Sequence, residues 1–149
     1  MTAQISQTRF AGGPAGLLVA AGAGILWNAY GAWQFALSFF QTRESLVAAG
    51  MTPSQAELYL SLPGWISLAF AIGVFGGLIG SVALLMKRAV ALPVFGVSLA
   101  GYVLLFAGDT YYGVFANIPS QLVILAVVVA IAAALFAVTI HARNRGTLA

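Results

Sequence analysis

The sequence predicts an all-α integral membrane protein: a single membrane domain, residues 1–149, built as a four-transmembrane-helix bundle with a short interfacial helix on its outer, periplasmic side. Three observations carry this. The 149 residues are 62% hydrophobic and 6% charged, with a mean hydropathy of +1.02, whereas soluble domains hold roughly 25% charged residues. Four apolar stretches each supply the about 20 residues needed to cross a hydrocarbon core about 30 Å thick. The stretches are continuous rather than alternating, which excludes a transmembrane β-barrel.

The first stretch, Ala15 to Phe40, follows a polar lead from Met1 to Gly13 that is expected in the cytoplasm. Arg9 ahead of an apolar run could suggest a secretion signal, but the run far exceeds the about 7–15 residues of a signal core. It is read as a retained span that ends at Gln41-Thr42-Arg43-Glu44. In the long connection that follows, Thr52-Pro53-Ser54-Gln55 fits a capping box with proline at the first helical position. The spacing predicts a helix over 53–60 lying on the membrane interface, ended by Pro63.

The second span, Pro63 to Met86, is separated from the third, Ala89 to Asp109, only by Lys87-Arg88. Asn117 and Pro119 open the fourth, Pro119 to Ile140, where a proline loses no needed hydrogen bond. In lipid every peptide group must bond within its own segment, so these stretches are helices. With the amino end inside, Arg9, Lys87, Arg88, Arg143 and Arg145 fall on the cytoplasmic side and only Arg43 outside. That split places both termini in the cytoplasm and makes Lys87, Arg88, Arg143 and Arg145 the topology anchors. His141 joins Arg143 and Arg145 as a helix end suited to the dipole and to anionic lipid.

Few residues are available for chemistry. The chain has no cysteine and one histidine, so it offers no thiolate metal site, disulfide or haem-ligand pair. It also shows no paired carboxylates, activated nucleophile or phosphate loop. No cofactor and no nucleic-acid partner is expected. The net charge of +3 suits orientation in a bilayer.

Three constellations remain. On the second span Ala69, Gly73, Gly77 and Ser81 recur at intervals of four, with Gly76 and Gly80 beside them. One side of that helix is nearly bare backbone, against which another helix can pack closely, within this chain or from another. A weaker small face on the fourth span joins Ala126, Ala130 and Ala134 to Ala133 and Ala137. On the first span Gly24, Asn28, Gly31, Gln34 and Ser38 are read as one polar-lined side. Asn28 and Gln34 either tie helices together or contact a polar solute. Asp109, the only acid within a span, is a candidate for proton or cation coupling. Its place beside Thr110-Tyr111-Tyr112 reads as solvated at headgroup level, and a helix running on to Gly113 would set it about a turn deeper.

Leu26-Trp27-Asn28 with Gly31, Met51-Thr52-Pro53 with Gln55 and Tyr59 before Leu62-Pro63, Gly73-Val74-Phe75-Gly76-Gly77 with Gly80-Ser81, and the basic turn before Ala91 to Ser98 together resemble a family of small four-span bacterial inner-membrane proteins of uncharacterised function. The resemblance covers most of Leu26 to Gly101. It implies the bacterial inner membrane and, from a label some members carry, sugar transport. The family's first span often has an acid after the glycine, whereas this chain has Gln34 nearby and no acid.

Two functions are expected from different classes. The first is a non-enzymatic accessory or assembly subunit, homo-oligomeric or part of a larger membrane complex. The alternative is a small-solute transporter that acts as an oligomer through Asn28, Gln34 and Asp109.

Overall fold

The computed structural model describes residues 13–149, so Arg9 and the polar lead before Gly13 lie outside the described residues. Seven helices follow in order: α1 Pro14–Ser38, α2 Arg43–Ala48, α3 Pro53–Ser61, α4 Gly64–Leu85, α5 Ala91–Tyr111, α6 Val114–Asn117 and α7 Pro119–Asn144. Four of these, α1, α4, α5 and α7, are long and apolar enough to cross a membrane. The protein is an all-α, multi-pass membrane protein.

Proline sets several boundaries. Pro14 and Pro119 stand in the first turns of α1 and α7, where no backbone donor is wanted. Pro93 sits in the first turn of α5 for the same reason. The anticipated cap of α3 forms: the Thr52 hydroxyl accepts from the Gln55 amide at 3.2 Å, and the Gln55 side chain accepts from the Thr52 amide at 2.9 Å. A second capping box, between Thr42 and Ser45, opens α2. That helix is not in the sequence reading because serine at the third position is a weaker signal than glutamate or glutamine. α6 spans only four residues, 114–117, too few for a periodic pattern.

The long helices alternate in direction. α1 packs on α4, α4 on α5 and α5 on α7, while α7 returns to α1 only sparsely. One apolar cluster, with Leu17, Ala21, Leu84, Ala91, Phe95 and Ala142, fills the half nearest the α4–α5 turn. The other, with Ile66, Val74, Tyr102, Leu105 and Leu125, fills the half under α3 and α6. Inward residues of α5 recur at alternating steps of four and three: Ala91, Phe95, Ser98, Tyr102, Leu105 and Asp109. This is the repeat of a coiled-coil seam.

The α4–α5 turn is tight. Lys87 takes a left-handed conformation, φ 55°, a position more usual for glycine at a helix end. The Ala149 amide donates to the Lys87 carbonyl at 2.8 Å and the Ala89 amide to the Ala149 carbonyl at 2.6 Å, with Leu148 packed on the first cluster. Lys87, Arg88, Arg143 and Arg145 therefore gather at one end of the bundle, and α2, α3 and α6 at the other.

Two boundaries shift with consequence. α5 continues two residues past Asp109 to Tyr111, and α7 runs to Asn144, so the basic residues His141 and Arg143 lie within its last turn.

Candidate functional site

Four glycines of α4, Gly73, Gly76, Gly77 and Gly80, are consumed by neighbours in the same chain. A side chain at Gly73 would meet the Tyr102 ring at 2.6 Å, one at Gly80 the Phe95 ring at 2.9 Å, and one at Gly76 the Ser98 Cβ at 3.0 Å. One at Gly77 would run into the Asn28 amide group. The face thus receives α5 through Gly73, Gly76 and Gly80, and α1 through Gly77. Ser81 is fully buried and donates to the Gly77 carbonyl of its own helix at 2.7 Å.

From this close approach follows a polar midsection. The Asn28 amide donates to the Gly24 carbonyl at 2.8 Å, and its oxygen accepts from the Tyr102 hydroxyl at 3.4 Å. Ser98 donates to the Gly73 carbonyl at 2.5 Å, tying α5 to α4. Interhelical bonds of this sort contribute about 0.6 kcal/mol each in lipid. Beside them is a narrow gap lined by Trp27, Asn28, Phe95, Ser98, Tyr102 and Leu135 among others, without room for a water molecule.

The polar side expected on α1 does not persist along the helix. Asn28 is buried, whereas Gln34 is exposed and bonds to the Tyr30 hydroxyl of its own helix at 3.1 Å. The reason is geometric: two successive steps of three residues each turn the helix back by about 60°, so Gln34 is about 120° away from Asn28.

Asp109 has two readings from the sequence, solvated at headgroup level or set deeper by a longer helix, and the residue is 8% exposed on a helix that runs past it. α5 does not end at Asp109, and the carboxylate stays on the inward seam. It makes no hydrogen bond or ion pair with the other described residues, and it does not share the gap with Asn28. Leu105 stands between Tyr102 and Asp109 on that seam. Around this end, Trp65 lies against α5 at Gly108 and donates to the Tyr112 hydroxyl at 3.3 Å.

α3 overlies the same end. Burial first, and the Asp109 charge second, push the Tyr59 phenol above its ordinary value. Gln55 fastens α3 to α6 by donating to the Asn117 carbonyl at 2.6 Å. Arg43, the one cation on this side among the described residues, is engaged with Glu57 at 3.0 Å. Exposed Glu44 is held below the usual carboxylate range by a backbone N–H and the Thr42 hydroxyl. No group of three or more acidic, histidine or cysteine side chains suited to a metal occurs among the described residues.

Sequence reasoning missed Ser98 and Tyr102. The signal was present in their spacing from Asp109, 98, 102 and 109 on one heptad face, but isolated hydroxyls in an apolar run carry little weight until their partner helix is known.

No protein family, curated protein or solved structure matches the chain.

Proposed function

We propose that this protein is a non-enzymatic accessory or assembly subunit of a bacterial inner membrane, with Lys87, Arg88, Arg143 and Arg145 at its cytoplasmic end. The observation that carries the reading is the way the interior is occupied. Asn28, Ser98 and Tyr102 are spent on bonds between or within helices, and the gap beside them lacks room for a water molecule. Such an interior favours holding a fixed shape over passing a solute, and in this conformation it leaves no space for a sugar.

The surface that would meet other proteins is not the glycine face of α4, which is already filled. The alanines of α7, Ala126, Ala130, Ala133, Ala134 and Ala137, are exposed instead. A ridge of small side chains allows close approach of another helix in lipid. The gathering of the basic residues at one end supports the cytoplasmic orientation of that end.

The test is extraction of the tagged full chain from native membranes in mild detergent, with its assembly size read on native gels. A homo-oligomer or a defined complex is expected, weakened by Ala130→Leu while the melting temperature of the isolated chain is unchanged. A monomer under every mild condition, or an assembly indifferent to Ala130→Leu and Ala134→Leu, overturns the reading.

A further inference from the structure

Asp109 is 8% exposed as a residue, and its carboxylate, whose oxygens still reach the surface, has no partner among the described residues. Removing a carboxylate from water without a counter-charge is costly, and ionisable groups at membrane depth mark binding or coupling sites. The described residues supply Asp109 no cation. α4, α6 and residues 119–140 of α7 contain no charged residue. α3 brings Tyr59, whose phenol is neutral at about pH 7, and Arg43 is already committed to Glu57.

The surroundings narrow the class of ligand. A hard metal ion wants several oxygen ligands, and among the described residues no group of three or more acidic, histidine or cysteine side chains is suited to one. This end offers aromatic rings instead: Tyr59 above, Trp65 against the adjoining Gly108, and Tyr112 one turn on, with the Trp65 and Tyr112 rings 6.1 Å apart. Ring faces attract ammonium groups, most strongly where water is excluded. The end as a whole is acidic, with Glu44, Glu57 and Asp109 against Arg43.

We propose that Asp109, with the rings of Tyr59, Trp65 and Tyr112, forms a binding site for a small organic ammonium cation beneath α3. α3 is held beside this site by the Gln55 bond to the Asn117 carbonyl.

The site is tested by calorimetric titration of the purified full chain in detergent with tetramethylammonium chloride, against sodium chloride at equal ionic strength. Saturable binding of tetramethylammonium alone is expected, weakened about tenfold or more by Asp109→Asn and kept within a few-fold by Asp109→Glu. Tyr59→Phe preserves it and Tyr59→Ala weakens it, a comparison that still decides the matter if Asp109→Asn does not fold. No saturable binding, an equal response to sodium, or undiminished binding by a folded Asp109→Asn variant overturns the proposal.

Discussion

Asn28 on α1 occupies the space that any side chain at Gly77 on α4 would need. The two positions are a matched pair, one polar and bulky, the other bare. Gly77→Ala is therefore expected to destabilise the isolated chain by about 1–3 kcal/mol, the usual range for overpacking. Combining it with Asn28→Ala should recover part of the loss, so the double-mutant cycle in detergent denaturation is non-additive. Additive losses would contradict the contact.

Two glycines of α5 give opposite expectations. A side chain at Gly101 would meet the Gly73 backbone nitrogen at 2.9 Å and the Ala69 carbonyl at 3.0 Å, whereas one at Gly96 would meet only Phe136 at 3.6 Å. Backbone cannot swing aside as a side-chain tip can. Gly101→Ala should lower stability by about 1–3 kcal/mol, while Gly96→Ala should be neutral or raise it by up to about 1 kcal/mol through helix propensity. Thermal melts of the two variants side by side check this.

Ser98→Ala removes the donor to the Gly73 carbonyl. The loss expected is about 0.6 kcal/mol and no more than about 1.7 kcal/mol. A larger effect in the same denaturation assay would mean that Ser98 supports more than this one bond.

Lys87 sits in the left-handed region. Replacing it by glycine relieves backbone strain of about 1 kcal/mol and should raise the melting temperature, while Lys87→Val should lower it. The same Gly variant removes one charge from the basic end, so topology is best read separately with accessibility probes on Arg88-containing chains.

The Tyr59 phenol lies above the ordinary tyrosine value of 10.0, chiefly because it is buried. The folded state favours the neutral form, so this contribution to stability is whole below about pH 10 and is lost as pH rises through the folded value. The melting temperature should fall more steeply above pH 10 in the native chain than in Tyr59→Phe. Parallel profiles would show that Tyr59 is freely solvated.

Much of the architecture is legible in the residues because lipid imposes it. Continuous apolar length marks the four long helices, Thr52 with Gln55 marks the start of α3, and the bare face of α4 marks a close approach. What single helices cannot reveal is which partner fills a face. Gly77 implies a neighbour without naming Asn28, and Asn28 implies a bond without naming Tyr102. Three-residue steps do not conserve direction, and two of them carry Gln34 about 120° away from Asn28 to the exposed side. At Asp109 the adjacent tyrosines point to the interface, while the helix that runs on to Tyr111 carries the residue onto the inward seam.

The alternation of fours and threes along α5 also limits how its sequence can change length. One residue inserted between Leu105 and Gly108 would rotate Asp109 by about 100° off the seam and turn its carboxylate toward hydrocarbon. Seven inserted residues would nearly restore its direction but displace it by about 10 Å along the axis, away from Tyr59 and Trp65. Direction and depth can be right together only at the present register, so this helix tolerates substitutions far more readily than insertions or deletions.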